Sequence, residues 1–360
     1  MPLVRPTLSL PPVIVLMLLC GGCSRWLYPV DERAADVEVV PIGEGWNIAL
    51  HHFPPTPGAT ARHTPVLLCH GITGNRLNWD LSERLSLPRF LAARGFDVFL
   101  LELRGSGAAG RPGLLGGPAY DYTLDDYART DVPAAIARVR ARTGATQVQW
   151  VGHSMGGIVM YLYLELSGGG AVRSLVAVGS PPYVLVQSRT LADAIELYPV
   201  LDFFFDALPV GAVSELGAPF AWPSRLPAQH IVWNDANLDP AASRSLAANG
   251  THAISTRVVA QMADATDGHL RSADGQIDYT EGLASITTPI LFVAGALDHL
   301  APPAALYEGY RRVASTDKRI EVLSRANGYR ADYGHVDLAL GEASPDEVYP
   351  LVAAWLVAHD

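Results

Sequence analysis

The stretch of this chain that decides the fold is Val-Gly-His-Ser-Met-Gly-Gly at residues 151–157. Within it, Gly152, Ser154 and Gly156 form the pattern Gly-x-Ser-x-Gly, which places a serine on a sharp turn between a strand and a helix. The turn needs both glycines, because a Cβ atom at either position would collide with the neighbouring backbone. Residues 147–151 alternate between polar and apolar side chains and end with an apolar one, as a strand does. The apolar residues after the motif can continue as a buried helix. The pattern predicts that the Ser154 hydroxyl projects as a nucleophile.

A nucleophilic serine needs a base and a group that orients the base. The apolar run at 289–294 is typical of a buried parallel strand, and Asp298 comes shortly after it. Asp298 is therefore expected at the carboxyl edge of the sheet, where the active sites of open α/β sheets lie. After the next strand candidate, at 319–323, a loop contains His335. The order Ser154, Asp298, His335 suits this motif, and we predict these residues as nucleophile, acid and base.

Other residues compete for the acid and base roles. Asp298 can also cap a helix predicted at 301–313, and the two roles are compatible. Asp332 and Asp337 flank His335 and are weaker candidates for orienting it. The other histidines of the C-terminal part lie inside the motif, in the wrong chain order, beside Asp298 or at the chain end: His153, His230, His252, His269, His299 and His359. His335 is the predicted base.

Ester or amide chemistry at a serine also needs an oxyanion hole, which is a pair of backbone N–H groups. Met155 is expected to supply one, because free N–H groups and the helix dipole favour an anion at a helix N-terminus. The other should come from a loop after an early strand. The strand predicted at 65–69 leads into His70 and Gly71, and a glycine there lets the backbone approach the substrate. We predict the Ile72 N–H as the second donor and His70 as a brace, with an ordinary glycine turn as the alternative.

Strand and helix candidates alternate along most of the chain. The predicted strands are 37–41, 46–53, 65–69, 97–101, 147–151, 175–178, 289–294 and 319–323, and the predicted helices lie near 81–94 and 124–142. The first two strands should be antiparallel, since their turn contains Gly43 and Gly45. The alternation predicts an α/β fold with a mostly parallel twisted sheet and helices on both faces. Arg104, in a loop at the catalytic edge, is expected to form a structural ion pair rather than to catalyse.

Several stretches carry a family resemblance. They are His70-Gly71 with Asn78-Trp79, residues 126–136, and residues 334–337 with Gly341 and Val348-Tyr349. Through them the chain resembles an α/β-hydrolase and is most similar to the acid lipase family of animals, the gastric and lysosomal type. The likeness covers roughly residues 37–182 and 285–358. It implies that Ser154, Asp298 and His335 take the family's nucleophile, acid and base positions.

Two features of the sequence depart from the acid lipase pattern. Met155 stands where acid lipases usually carry glutamine, and this makes the motif equally similar to general esterases and monoglyceride-type lipases. The segment between the two matching parts has no convincing counterpart in the family. The resemblance therefore implies the fold and the catalytic positions, and it does not imply the substrate class.

We predict that residues 37–180 and 288–360 form the α/β-hydrolase core and that residues 181–287 form an inserted cap. In this architecture an insertion at that position covers the catalytic edge. Its aromatic residues are Phe203-Phe204-Phe205, Phe220, Trp222 and Trp233. Two interpretations stay open: an apolar acyl-binding lid that moves to admit lipid, or a cap whose aromatic residues form its own small core.

Residues 1–23 are predicted to be an export signal, followed by a tail at 24–36. Arg5 is the only charge before the apolar run at 13–19, and small residues follow. The run is short for a membrane span. Residues 19–23, Leu-Cys-Gly-Gly-Cys, resemble a bacterial lipoprotein cleavage site. By that resemblance Cys23 would carry lipid, and the protein would be an exported, membrane-anchored lipoprotein; otherwise it is periplasmic or secreted.

The composition limits the possible partners and cofactors. The chain has 360 residues, 49% of them hydrophobic, which is enough for one large core. Its formal net charge of −10 argues against nucleic acid as a partner, since phosphate binding needs clustered Lys and Arg. Cys69 is expected to be a small buried hydrophobe, and a redox or metal pair of Cys20 and Cys23 is the weaker alternative. The predicted chemistry needs no metal and no organic cofactor.

The predicted function is the hydrolysis of carboxylic esters, of lipid or other apolar acyl groups, through a Ser-His-Asp acyl-enzyme mechanism. A histidine base with a pKa near about 6.5 predicts activity that falls at acid pH. Thioester cleavage, amide cleavage and acyl transfer on the same fold are alternatives. A non-catalytic, surface-anchored binding protein is a further alternative. Chain length of the acyl group, the alcohol moiety and the oligomeric state stay open.

Overall fold

The structure is a computed structural model that describes residues 24–30, 34, 36–111, 117–185, 206–221 and 229–360. An eight-stranded sheet is its central element, and a two-stranded sheet lies in the insertion. The strands are β1 (Asp36–Gly43), β2 (Trp46–Phe53), β3 (Val66–Cys69), β4 (Val98–Glu102), β5 (Val148–His153), β6 (Val172–Val178), β7 (Ala207–Leu208), β8 (Ile254–Ser255), β9 (Ile290–Gly295) and β10 (Lys318–Leu323). The eight strands predicted from the pattern are all present in the large sheet.

The order of strands in the large sheet is β1-β2-β4-β3-β5-β6-β9-β10. Strand β2 is antiparallel to both β1 and β4, and the other pairs are parallel. The fold is thus the predicted α/β-hydrolase arrangement, with a mostly parallel sheet. The carboxyl ends of β3, β5, β6 and β9 meet along one edge, so the loops that follow these strands are brought together there.

The helices are α1 (Leu87–Ala92), α2 (Leu124–Asp126), α3 (Val132–Thr143), α4 (Met155–Ser167), α5 (Val210–Gly217), α6 (Gln229–Val232), α7 (Pro240–Asn249), α8 (Thr256–Asp264), α9 (Tyr279–Gly282), α10 (Pro303–Arg312), α11 (Asp337–Leu340) and α12 (Ser344–Ala358). Helices α3 and α4 pack on one face of the large sheet, and α1 and α12 pack on the other. The prediction of helices on both faces is therefore confirmed. Short 3-10 turns include Arg76–Asn78 and Ala218–Phe220.

One predicted helix is wrong in its extent. The structure has a helix only at α1 in place of the helix predicted near 81–94, because the Ser86 side chain caps its start by accepting from the Arg89 N–H. Before that cap, Leu81 donates its N–H to the Leu85 carbonyl in a tight loop. The helix near 124–142 is confirmed, with a π-helical turn between α2 and α3.

The core lies on both faces of the large sheet, as alternation along the strands requires. In β3, Leu67 and Cys69 join the cluster on one face, and Val66 and Leu68 join the cluster on the other. All four are fully buried. Cys69 is the buried hydrophobe expected from its strand, and burial raises the pKa of its thiol well above the usual range.

The insertion between β6 and β9 contains helices α5 to α9 and the small sheet of β7 and β8. Of its aromatic residues, Phe220 is exposed, and Trp233 donates its ring N–H to Asp235 (2.8 Å). The predictions for residues 1–23, for Phe203-Phe204-Phe205, for Trp222 and for the His230 side chain fall outside the described residues. In the described part of the chain no helix is long and apolar enough to cross a membrane.

Candidate active site

Ser154 lies on the sharp turn that joins β5 to α4. Its backbone has φ 53° and ψ −122°, a strained conformation that a non-glycine residue rarely adopts. A Cβ atom at Gly152 would lie 2.3 Å from the Gly156 carbonyl carbon, and one at Gly156 would lie 2.7 Å from the Cys69 oxygen. Both glycines are therefore required by close backbone packing, as the motif predicts.

Asp298 and His335 form a buried pair at the same edge of the sheet. His335 Nδ1 lies 2.7 Å from Asp298 Oδ2, and both side chains are almost fully buried. The other oxygen of Asp298 accepts the N–H groups of Leu300 (2.9 Å) and Ala301 (2.7 Å). Asp298 thus orients His335 and holds the turn that precedes α10. The helix itself begins at Pro303 with Pro302 as its N-cap and no side-chain cap, so the expected capping role of Asp298 is wrong.

The two rival aspartates are engaged elsewhere. Asp332 accepts the N–H of Arg325 at 2.9 Å. Asp337 accepts the N–H of Gly334 at 2.9 Å and an amide N–H of Asn237 at 3.1 Å. Burial raises the pKa of the Asp337 carboxyl to about 6, while these donors pull it down. Neither aspartate hydrogen-bonds His335, so Asp298 is the only hydrogen-bond partner of its ring among the described residues.

The end of β6 contacts both Ser154 and the Asp298–His335 pair. The Ser154 N–H donates to the Val178 carbonyl at 2.8 Å. The next residue, Gly179, is so close to the pair that a Cβ there would lie 3.2 Å from His335 Nδ1 and 3.3 Å from Asp298 Oδ2. Within the described ranges no hydrogen bond joins Ser154 Oγ to His335 Nε2. Such bonds often form only in the complex with substrate.

The loop after β3 lies directly against the serine. A Cβ at Gly71 would be 3.1 Å from Ser154 Cβ, so a glycine allows this approach. The Gly71 N–H donates to Asn78 Oδ1 at 2.9 Å. The N–H groups of Ile72 and Met155, the predicted oxyanion donors, have no hydrogen-bond partner in the part of the chain that the structure describes. Both remain available to a ligand.

His70 holds this loop in place. Its Nδ1 lies 2.8 Å from the Gly71 carbonyl, and its Nε2 accepts the N–H of Leu103 at 3.2 Å. Because Nε2 accepts, the proton of the neutral ring is on Nδ1. Burial lowers the pKa of His70, which keeps the ring neutral. These contacts agree with the bracing role expected for His70.

Asn78 and His153 also belong to the site, although the sequence pattern predicts no role for either of them. His153 Nδ1 lies 3.0 Å from Asn78 Oδ1, and its Nε2 lies 3.1 Å from the His335 carbonyl oxygen. The rings of His153 and His335 lie 4.7 Å apart. Burial, together with the neighbouring His335, lowers the pKa of His153 well below its usual value. The only sequence signals were Asn78 in the family-like stretch and the position of His153 beside the serine.

Arg104 is confirmed as a structural ion-pair partner. Its side chain donates to the buried Asp131 carboxylate at 2.7 Å (Nε) and 2.5 Å (Nη2), and its backbone N–H donates to the same group at 2.9 Å. The arrangement fastens the loop after β4 to the start of α3. Arg104 makes no hydrogen bond to the predicted catalytic residues.

A segment of the insertion contacts the loop after β3, which carries the predicted oxyanion donor Ile72. Asn75 Nδ2 donates to the Asn249 carbonyl at 2.7 Å and lies 2.8 Å from His252 Nε2. The His252 N–H donates to the Thr73 carbonyl at 2.7 Å. Burial lowers the pKa of His252 to about 4, so the ring is neutral at pH 7 and can accept the Asn75 amide proton. The insertion and the predicted oxyanion loop are thus joined.

Comparison with known proteins identifies the family. A family model described as "alpha/beta hydrolase fold" matches residues 64–322. The chain belongs to this family. Human gastric triacylglycerol lipase is 27% identical to this α/β-hydrolase over 200 residues, which are 53% of this chain and 49% of the lipase. The expected similarity to acid lipases is therefore confirmed.

A curated relative and a solved structure of similar fold cover more of this α/β-hydrolase. The PhaC subunit of a poly(3-hydroxyalkanoate) polymerase from Haloferax mediterranei is 25% identical over 353 residues, which are 90% of this chain and 66% of that protein. A soluble variant of monoglyceride lipase from Saccharomyces cerevisiae has a similar fold, with a TM-score of 0.64, 17% identity and coverage of 92% and 98% of the two chains. The chain spans about half or less of the length of the curated lipases that it matches.

Proposed function

We propose that this α/β-hydrolase is a serine hydrolase of carboxylic esters with apolar acyl groups, a lipase or esterase. The observation that carries the proposal is the Asp298–His335 pair, held 2.7 Å apart beside a serine on a strained turn. A buried carboxylate–histidine pair next to a projecting serine hydroxyl is the arrangement that activates serine for acyl transfer. The similarity to gastric triacylglycerol lipase supports esters as the substrate class.

In this mechanism His335 takes the proton of the Ser154 hydroxyl as the serine oxygen attacks the ester carbonyl. Asp298 holds the ring by its Nδ1 and stabilises the imidazolium that forms. The N–H groups of Ile72 and Met155 bind the negative oxygen of the tetrahedral intermediate. His335 then protonates the leaving alcohol, and water, deprotonated by His335, releases the acid and frees the serine. No step requires a metal or an organic cofactor.

The test is hydrolysis of p-nitrophenyl esters from acetyl to palmitoyl by the wild type and by Ser154→Ala. We expect Ser154→Ala to lose at least about 10³-fold in kcat, because the nucleophile is removed. The matched control is Ser167→Ala, an exposed serine at the other end of α4, which should keep wild-type rates. A rate that rises with acyl length would indicate a lipase, and a short-chain optimum a carboxylesterase. Equal activity of Ser154→Ala and the control would contradict the proposal.

The second candidate function is acyl transfer to an alcohol, and the similarity to the PhaC polymerase subunit over 90% of the chain favours it. The acyl-enzyme is the same in both reactions, and only the nucleophile that resolves it differs. Product analysis with an added alcohol separates the two. Ester exchange that exceeds hydrolysis at millimolar alcohol would indicate a transferase, and free acid alone would indicate a hydrolase.

We further propose that the chain is exported and carries lipid at Cys23, with residues 37–180 and 288–360 as the catalytic core and 181–287 as its cap. The signal-like composition of residues 1–23 supports export. Labelled palmitate incorporated in a bacterial host should appear in the wild type and be absent from Cys23→Ala. Incorporation into Cys23→Ala would contradict the lipid anchor, and Cys20→Ala is the control that should still be labelled.

A further inference from the structure

The two ends of the loop after β3 are held by contacts that do not involve the insertion. Gly71, at the start of the loop, donates its N–H to Asn78 Oδ1 at 2.9 Å. Arg76, near its end, donates its N–H to Glu102 Oε1 at 2.9 Å. Ile72, whose N–H is a predicted oxyanion donor, lies between these two anchors. The position of that donor therefore depends on what holds the residues in between.

The middle of the loop is a tight turn with one residue in an unfavourable conformation. The Gly74 N–H donates to the Gly71 carbonyl at 3.1 Å, so Ile72 and Thr73 are the central residues of the turn. Thr73 has φ 58°, in the left-handed region. A turn with positive φ at this position usually has glycine or asparagine there. Another residue type keeps such a conformation only where surrounding contacts hold it.

The insertion supplies backbone contacts to the strained residue of this turn. His252 donates its N–H to the Thr73 carbonyl at 2.7 Å. Gly74, the next residue, pairs with Thr251 in an antiparallel β-bridge. The conformation next to the predicted donor is therefore held by a short segment that lies more than 170 positions further along the chain.

The side chain of Asn75 adds two hydrogen bonds to the same segment. It donates to the Asn249 carbonyl at 2.7 Å and to His252 Nε2 at 2.8 Å. In the described ranges, all hydrogen bonds that join residues 72–75 to parts of the chain outside this loop go to the insertion. We call residues 249–252 the support segment.

The support segment is itself fixed within the insertion. A Cβ atom at Gly211, on α5, would lie 2.8 Å from the Thr251 carbonyl oxygen and 3.0 Å from His252 Cα, so the two backbones are in direct contact. Helix α7, which ends at Asn249, packs against α5. The contacts with α5 and α7 therefore keep the support segment in one position against the turn.

The ring of His252 makes a hydrogen bond that serves the loop alone. Burial lowers its pKa to about 4, so the ring is neutral at pH 7. Because Nε2 accepts the Asn75 amide, the proton of the neutral ring is on Nδ1. Nδ1 is buried and has no hydrogen-bond partner among the described residues. The bond to Asn75 is thus the ring's only hydrogen bond in that part of the chain.

We propose that His252 is a positioning residue, which holds the turn at residues 71–74 so that the Ile72 N–H stays where it can bind the oxyanion. The inference rests on the proposed ester hydrolysis, because an oxyanion forms only in that reaction. His252 acts through Asn75 and Thr73 and touches no reacting atom. Since the donor is needed in the transition state, a positioning role predicts a loss in kcat with little change in KM.

The test compares His252→Leu with His252→Gln in the full chain, with p-nitrophenyl acetate as the substrate. Leucine fills the space of the ring without an acceptor, whereas the glutamine side chain supplies an amide oxygen that can accept from Asn75. We expect His252→Leu to lose about 10-fold or more in kcat, because misplacement by 1 Å costs up to about 10²-fold. His252→Gln should recover most of the rate.

His269→Leu is the matched control, because His269 also lies in the insertion and its ring is bonded to Asp278 (2.6 Å) instead of the loop. It should keep wild-type kcat. If His252→Leu fails to fold, Asn75→Asp tests the same contact from the other side. An aspartate can still accept the Leu77 N–H, as Asn75 Oδ1 does at 2.9 Å, but it donates no hydrogen bond to the support segment. The same loss in kcat is expected.

Amide hydrogen exchange provides a readout that needs no turnover. Exchange at residues 71–75 should be faster in His252→Leu and Asn75→Asp than in the wild type, His252→Gln and His269→Leu, because the turn loses its support. Unchanged exchange in both variants would overturn the proposal. Faster exchange with a wild-type kcat would also overturn it, since the contact would then support the loop without positioning the donor.

The kinetic results separate this proposal from the proposed function. Turnover that depends on Ser154 but is as fast in His252→Leu as in the wild type would contradict the role of His252 alone. A wild type that hydrolyses the ester no faster than Ser154→Ala would contradict the proposed function, and the positioning role with it.

Discussion

Among the described residues, two buried histidine–carboxylate pairs have almost equal lengths, one in the candidate active site and one in the scaffold. His335 Nδ1 is 2.7 Å from Asp298, and His51 Nε2 is 2.8 Å from Glu102. Each carboxylate also accepts two backbone N–H groups, which for the scaffold pair come from Arg76 and Ala108. By bond lengths and donors alone the two pairs cannot be told apart.

The difference lies in what surrounds each ring. His51 and Glu102 join β2 to β4, and the second nitrogen of His51 is buried without a hydrogen-bond partner in the described part of the chain. His335 lies on a loop at the carboxyl edge, with its ring 4.7 Å from that of His153, the neighbour of the serine. A histidine that is paired with a carboxylate can act as a base only where its other ring nitrogen can reach a substrate or a nucleophile. Proximity to the strained turn is therefore the reason for proposing Asp298 and His335, and not His51 and Glu102, as the catalytic pair.

The largest effect should come from Asp298→Asn. The amide still accepts the N–H groups of Leu300 and Ala301 but no longer stabilises the imidazolium of His335, so we expect kcat to fall about 10⁴-fold, as in other triads of this type. Thermal unfolding should change little. Ester hydrolysis and differential scanning calorimetry of the same preparation check both. Wild-type turnover by Asp298→Asn would remove the distinction between the two pairs.

A second prediction concerns the close contact between Ser154 and the loop after β3, which carries the predicted oxyanion donor Ile72. Gly71→Ala would place a methyl group 3.1 Å from Ser154 Cβ and 3.2 Å from His153 Nδ1. The loop must shift by a few tenths of an ångström, and misplacement of an oxyanion donor should cost about 10²-fold in kcat. Gly217→Ala is the control, because its methyl group would meet no atom within 4 Å. Equal rates for the two variants would show that the loop does not position the donors.

Glu102→Gln should affect the scaffold and leave the chemistry unchanged. Burial alone would raise the pKa of Glu102, but the bond to His51 and two backbone N–H groups outweigh it and lower the pKa from 4.5 to about 2. A carboxyl group whose pKa is lowered on folding contributes its full stabilisation above about pH 4.5. This contribution disappears as the pH falls towards 2. We expect Glu102→Gln to cost about 2–3 kcal/mol of unfolding free energy at pH 7 and less at pH 3, by urea titration.

The folded Glu102→Gln protein should keep a kcat near that of the wild type, because Glu102 does not contact Ser154, Asp298 or His335. A loss of turnover as large as that of Asp298→Asn, at unchanged stability, would reverse the roles assigned to the two pairs.

Glu165 is a third carboxylate, without a histidine partner, and its substitution should have the smallest effect. Its Oε1 is buried with no hydrogen-bond partner among the described residues. Burial, with a smaller contribution from Asp278, raises the pKa to about 9. The folded state therefore holds a proton that the unfolded state releases above about pH 4.5, so stability falls as the pH rises from there towards 9. We expect Glu165→Gln to raise Tm by about 2 °C at pH 8 and to leave it unchanged at pH 4.

That prediction is checked by calorimetry at the two pH values. Glu308→Gln, a carboxylate on α10 that pairs with arginines at the surface, is the comparison variant and should not raise Tm at pH 8. A Tm for Glu165→Gln below that of the wild type at pH 8 would show that the carboxylate has a favourable partner after all.

Sequence alone determined the parts of the site that depend on local chain geometry. The strained turn at Ser154 needs small neighbours at Gly152 and Gly156, and apolar runs end at Cys69, Gly295 and Leu323, so the positions of the site loops follow from periodicity. Chain order then selects Asp298 and His335. The one error of extent, the helix near 81–94, arose because apolar spacing does not reveal that Ser86 caps a shorter helix.

Only the tertiary structure decided which distant residues share a site. His153 and Asn78 are 75 positions apart, and His51 and Glu102 are 51 positions apart. Contacts of this kind leave no pattern among neighbouring residues of the sequence, because they depend on how strands are ordered in the sheet and how helices pack on it. Backbone strain and alternation are properties of a few neighbouring residues and are visible in the sequence, whereas proximity across the fold is a property of the packed chain.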